Sequence, residues 1–200
     1  MSYSQLQTDI ADFLNRQDLT SVIPTFIRLV ETRVNRVIRT RHMELRVLAT
    51  ITNQFSTLPT DFLEMRNIQI NSDPVTALQY VTPQEADRIR QKQLQGPPRF
   101  FSVLSNRLEL IPPPQEAIEA EMVYYQAIPP LTDASPTNWL LQKNYDVYLY
   151  GALAQAATYL KDDPSAWVLL YNSALDEIVV DDQRSQFHGT TPQMRGITIG

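Results

Sequence analysis

Residues 138–180 read NWLLQKNYDVYLYGALAQAATYLKDDPSAWVLLYNSALDEIVV, the least polar long stretch of the chain. Its spacing predicts two helices joined by a sharp stop. At about 100° per residue, Tyr145, Leu149, Ala152, Leu153, Ala156, Tyr159 and Leu160 share one broad face. Val147, Gly151, Ala154 and Thr158 make a row of mostly small residues on the opposite side. A helix apolar on one side and small on the other is normally buried on both. Lys161-Asp162-Asp163-Pro164 ends it: Asp163 can cap a new helix, and Pro164 fits the first turn without losing a needed donor. The second helix sets Trp167, Leu170, Tyr171, Ala174 and Ile178 on its inner stripe. This hairpin is the expected core. Gly151, Ala154 and Thr158 are expected at a close helix contact, either between subunits or against the β segment of the same chain.

Upstream, Leu6, Ile10, Phe13 and Leu14 give a short amphipathic helix, broken at Asn15 to Asp18. A longer helix follows, with Ile23, Phe26, Ile27, Val30, Val34, Val37 and Ile38 on one side and Pro24 in its first turn. Arg28, Thr32, Asn35, Arg36 and Arg39 lie opposite, and Arg41 would point into the apolar side, so the helix should end near Thr40. The period then changes to that of strands between Leu45 and Tyr125. Thr82-Pro83-Gln84-Glu85 starts a short helix that stops at Gly96-Pro97-Pro98. Phe100 to Leu104 and Arg107 to Ile111 flank Ser105-Asn106, a two-residue hairpin turn. The fold class is α+β: a helical bundle over residues 1–41 and 138–182 carrying a small antiparallel β insertion at 45–127. After Asp182 periodicity is lost, so residues 183–200 read as an extended tail to a single domain of residues 1–182.

Composition excludes several functions. No cysteine is present, which removes disulfides, thiol nucleophiles and thiolate metal sites. The five glycines cannot be written into a phosphate-cradling loop, and His42 and His188 have no second histidine at metal-ligand spacing. Asp162-Asp163 and Asp181-Asp182 sit at helix boundaries, where capping and solvation account for paired carboxylates. No cofactor or metal is expected, and an enzyme would need a site assembled from scattered residues that no spacing reveals. The first five residues lack a signal-peptide pattern and no run approaches membrane-spanning length, so the expectation is a protein of the cell interior or of something assembled there.

Arginine is the signal that divides the remaining readings. Arg28, Arg33, Arg36, Arg39, Arg41 and Arg46 cluster with only Glu31 and Glu44 as acids among them. One reading is a nucleic-acid-binding helix over residues 22–40 laid on phosphates. The other is a face that meets carboxylates, since Arg favours bidentate pairing and the whole chain carries a net charge of −5. Asp176, Glu177, Asp181 and Asp182 offer a counter-surface, in the same chain or a neighbouring copy.

Several stretches resemble the head-to-tail adaptor (connector) proteins of tailed bacteriophages, of the short-tailed-phage type. They are Pro24-Thr25-Phe26-Ile27 with Glu31 and Asn35-Arg36, then Leu58-Pro59-Thr60-Asp61-Phe62 with Glu64 and Arg66. Asn106-Arg107-Leu108, Pro112-Pro113-Pro114, Tyr124-Tyr125 and Pro129-Pro130-Leu131 follow. The most specific is Asn138-Trp139-Leu140-Leu141 leading to Asp146-Val147-Tyr148-Leu149-Tyr150-Gly151-Ala152-Leu153, with Tyr145 where the family often has proline. The resemblance implies a virion structural protein, and no enzyme. It implies a ring of copies, typically twelve, beneath the portal protein, which extends the DNA channel and docks tail or nozzle proteins. DNA would pass without specific binding, and no membrane is involved. The tail would reach the portal through Phe187, Pro192, Ile197 and Ile199, ordering only against its partner. Arg28, Arg36 and Arg39 would face acidic surface of a neighbouring subunit or of the portal.

Overall fold

Six helices and eight strands make up the described residues, 1–92 and 96–187, of the computed structural model. They are mixed α+β and divide into two units, residues 1–41 with those from 129 on, and residues 42–128. Among the described residues no helix is long and apolar enough to cross a membrane.

In the helical unit, α1 (Tyr3–Leu14) is capped by Ser2, whose hydroxyl accepts from the Gln5 N–H, and closes on Asn15 in the left-handed conformation. Its Leu6 and Ile10 are buried, whereas Phe13 stays largely exposed, edge-on to Trp167. Helix α2 (Ile23–Val37) has Pro24 in its first turn and buries Ile23, Phe26, Ile27, Val30, Glu31 and Val34. It stops short of the position at which Arg41 would have entered the apolar side. The 138–180 stretch forms three helices, not two: α4 (Trp139–Lys143), α5 (Tyr145–Leu160) and α6 (Ser165–Phe187). Asn138 caps α4 through its side-chain oxygen, and Asn144 lies between α4 and α5.

Helix α5 is the axis of this unit. Val147, Tyr148, Leu149, Gly151, Ala152, Leu153, Ala154, Ala156 and Ala157 are all buried, as expected of a helix with no polar side. It packs against α1, α2, α4 and α6. Lys161 ends it in the left-handed conformation, and Asp163 accepts from the Ser165 N–H at 2.9 Å to open α6. The stripe α6 buries is Tyr171, Ala174, Leu175 and Ile178. Leu170, expected inside, is 41% exposed, and Trp167 is half-buried against Tyr150. The buried stripe is narrower than the sequence pattern, and Leu175 replaces Leu170 on it. The helix also continues to Phe187, past the Asp182 boundary read from periodicity, because polar residues of good helix propensity extend a helix without an apolar signal.

The β unit holds two four-stranded sheets. One has the order β1 (Glu44–Ile51), β8 (Ile118–Gln126), β3 (Phe62–Ile70), β4 (Thr76–Ala77). The other runs β2 (Phe55–Thr57), β7 (Arg107–Ile111), β6 (Phe100–Leu104), β5 (Gln79–Tyr80). All pairings are antiparallel except β5 with β6, so the insertion is not wholly antiparallel. Ser105 and Asn106 both have positive φ, 48° and 62°, which the two-residue turn between β6 and β7 requires. Ile51, Ile68, Met122, Phe101, Leu108 and Leu110, drawn from both sheets, share one core. Helix α3 (Pro83–Lys92) starts on Thr82, whose hydroxyl accepts from the Glu85 N–H.

Candidate partner-facing surfaces

A polar chain is sealed inside the helical unit. Glu31 falls between Ile27 and Val34 on the buried side of α2 and is only 5% exposed. Its Oε1 accepts from the Leu131 N–H at 2.8 Å and from the Tyr148 hydroxyl at 3.2 Å. Asn138 Nδ2 donates to the Tyr148 hydroxyl and to the Pro129 carbonyl, each at 2.8 Å. Asn138 Oδ1 accepts from the Leu141 N–H, so one amide side chain caps α4 while it ties the 129–138 segment to α5. Burial pushes the Glu31 carboxyl above its ordinary range, against the Leu131 N–H, the Tyr148 hydroxyl and the Arg28 charge, which pull it down. Burial, then the Glu31 charge, raises the Tyr148 hydroxyl. These groups hold a rigid frame; the periodicity of α2 did not show that its one acid lies inside.

The small-residue row faces inward. A Cβ on Gly151 would come within 2.8 Å of Val30 Cγ2 and 2.9 Å of the Tyr171 ring. Gly151 and Ala154 are buried within the subunit; only Thr158 is exposed, its hydroxyl donating to the Ala154 carbonyl. At Gly151 the row therefore lets α2 and α6 approach α5 in the same chain. A cavity of about 140 Å³ lined by Val30, Arg33, Gly151, Gln155, Val168 and Tyr171 is what remains between the three helices.

Most of the arginines are already committed. The Arg33 guanidinium lies over the Tyr171 ring, 5.3 Å from its centroid. Arg39 donates to the Asn35 and Ile38 carbonyls at 2.8 and 2.7 Å, closing the last turn of α2. Arg41 pairs with Asp182, which also accepts from the Arg41 N–H, and Arg46 pairs with Glu121. Asp182 is thereby removed from the acidic counter-surface, and Arg39 from the free cations. Arg28 and Arg36 are exposed, and neither makes an ion pair among the described residues. On α6, Asp176, Glu177 and Asp181 are exposed beside Leu169 and Val180. Phe187 is the last described residue of α6; Pro192, Ile197 and Ile199 lie outside the described residues.

Among the described residues no group of three or more His, Cys, Asp or Glu side chains could hold a metal. The β unit carries an open groove of about 470 Å³ lined by Phe62, Met65, Leu78, Tyr80, Phe101 and Val103. What the helical unit displays is surface: unpaired cations on one helix, unpaired acids and exposed aliphatic residues on another. No curated protein matches the chain. The family described as SU10 adaptor protein matches it over residues 1–195, almost end to end. The chain belongs to the SU10 adaptor family and is a structural adaptor of the bacteriophage head-to-tail type.

Proposed function

We propose that this chain forms a ring of copies, twelve in number, beneath the portal at one vertex of the phage head. The ring extends the channel through which DNA leaves and offers its far side to tail or nozzle proteins. The observation that carries this reading is the family match across residues 1–195. In it the C-terminal segment, with Phe187, Pro192, Ile197 and Ile199 as anchors, attaches to the portal, and the protein is a component of the virion. Arg28 and Arg36 face acidic protein surface and not DNA, because a channel through which DNA slides must not grip phosphates. The occupation of Arg33 on α2, and of Arg39, Arg41 and Arg46 after it, supports this, since it leaves only Arg28 and Arg36 of the cluster outside such intrachain contacts among the described residues.

Inactivating the gene in the phage tests the proposal. Filled heads should accumulate without tails, and supplying the chain in trans should restore tailed particles. Tailed, infectious particles assembled in its absence would overturn it. Removing residues 188–200 alone should leave the protein folded, with an unchanged melting curve, yet absent from heads; normal incorporation would exclude the tail as the portal anchor.

A further inference from the structure

We infer that the outer face of α2 on one copy seats against the outer face of α6 on the next, joining copies head to tail. The inference rests on the ring reading above and names the two surfaces that make it.

Charge singles out the two faces. Helix α2 carries Arg28, Arg33 and Arg36 against one acid, Glu31, which is buried. Helix α6 carries Asp176, Glu177, Asp181 and Asp182 against one base, Arg184. After the intrachain contacts are subtracted, Arg28 and Arg36 remain on the first, and Asp176, Glu177 and Asp181 on the second. None of these makes an ion pair among the described residues. Both faces also hold aliphatic side chains in water: Leu29 is 47% exposed on α2, and Leu169 and Val180 are 71% and 42% exposed on α6. An apolar centre with a charged rim of one sign is the make-up of an interface, and here the two rims have opposite signs.

Geometry separates the centres of the two faces within one chain. Helices α2 and α6 meet where Arg33 covers Tyr171, and both pack on α5. At 3.6 residues per turn, Arg28 and Thr32 are rotated about 140° and 100° around α2 from Arg33, with Leu29 and Arg36 about 40° and 60° away on the same side. On α6, Leu169, Ser173, Asp176 and Val180 are rotated between about 140° and 180° from Tyr171. The α6 face thus looks away from the contact between the helices, and the α2 face lies to one side of it. Two different, complementary faces on one molecule make a heterologous contact, the kind that closes into rings. A face that paired with itself would place arginine against arginine.

The absence of cysteine makes the contact directly readable. Thr32 and Ser173 are exposed at the centres of the two faces. Phage particles are assembled with Thr32→Cys, with Ser173→Cys and with both, then treated with a short bis-maleimide. The double variant should give a ladder of linked multimers and each single variant only monomers. Dimers from a single variant would mean that a face meets its own copy, and would overturn the inference. A charge-reversal pair provides the second measurement: Arg28→Glu/Arg36→Glu and Asp176→Lys/Glu177→Lys should each be lost from particles alone and recovered when supplied together, alternating around the ring. These positions are exposed, so the melting curves should be unchanged. Normal incorporation of either variant alone, or an absence of linked species from a double variant present in particles, refutes the pairing of faces only. Particles that never contain the chain refute the adaptor reading itself.

Discussion

Tyr148 and Glu31 are where single atoms decide most. Tyr148→Phe removes the hydroxyl that joins Asn138 to Glu31, leaving a buried amide and a buried carboxylate each short of a partner. A loss of about 1–3 kcal/mol is expected, read as a lower melting temperature; an unchanged one would mean that the network is not closed in solution. Glu31 predicts a pH dependence. Because burial raises its carboxyl, the folded chain keeps the proton over a range in which the unfolded chain has lost it. Stability from this group is full below the ordinary value of 4.5 and falls as pH rises through the raised one. Wild type should therefore lose melting temperature relative to Glu31→Gln between pH 4.5 and neutrality, and a constant difference would contradict the assignment. Neither residue's role was visible in the sequence beyond its presence in the family-like stretches. A lone acid on an amphipathic helix reads as solvated, and only the Leu131 N–H and the Tyr148 hydroxyl, distant in sequence, make its burial tolerable.

Among the elements, α5 was the most legible, because a helix without a polar side has nowhere to sit except among other helices. The Ser105-Asn106 turn and the starts of α3 and α6 were also local, set by residues that form the turn or cap themselves. What was not legible is which neighbour covers each face. The row Gly151, Ala154, Thr158 announces a close approach but not its partner, and at Gly151 that partner is Val30 and Tyr171 of the same chain. Gly151→Leu should accordingly unfold the subunit by overpacking, at a cost of about 1–3 kcal/mol or more, instead of yielding a folded monomer that cannot assemble. Thermal unfolding separates the outcomes, and a fully stable Gly151→Leu protein would mean that the row is external. Leu153→Ala, fully buried, should cost about 2–5 kcal/mol. Trp167→Ala should cost less than the value for a core tryptophan, since the ring is half-buried and packs mainly on Tyr150 and Phe13. The outer side of α6 misled in the same manner. Leu170 was expected inside by its spacing, and it lies exposed with Leu169 and Val180, leaving aliphatic side chains on the outer side of the helix.

At the scale of the molecule, sequence identified the family through short stretches between Ser21 and about Asp182, and the match over residues 1–195 agrees with them. The hydrophobic period changes near Leu45 and ends near Tyr125, and the second compact unit spans residues 42–128. The bonding of Glu31 to Leu131 and of Asn138 to Pro129 and Tyr148 shows why the helical unit can be interrupted by the β unit and still close on itself. A buried polar chain fixes the return of the backbone onto α2 and α5 in one register. The ring is the central claim, and electron cryomicroscopy of the neck in purified particles addresses it most directly. A closed ring of twelve copies of this chain between portal and tail, with α2 of each facing α6 of the next and no DNA phosphate beside Arg28 or Arg36, is the predicted result. Absence of the chain from the neck, or its presence as isolated copies on the outside of the particle, would contradict it.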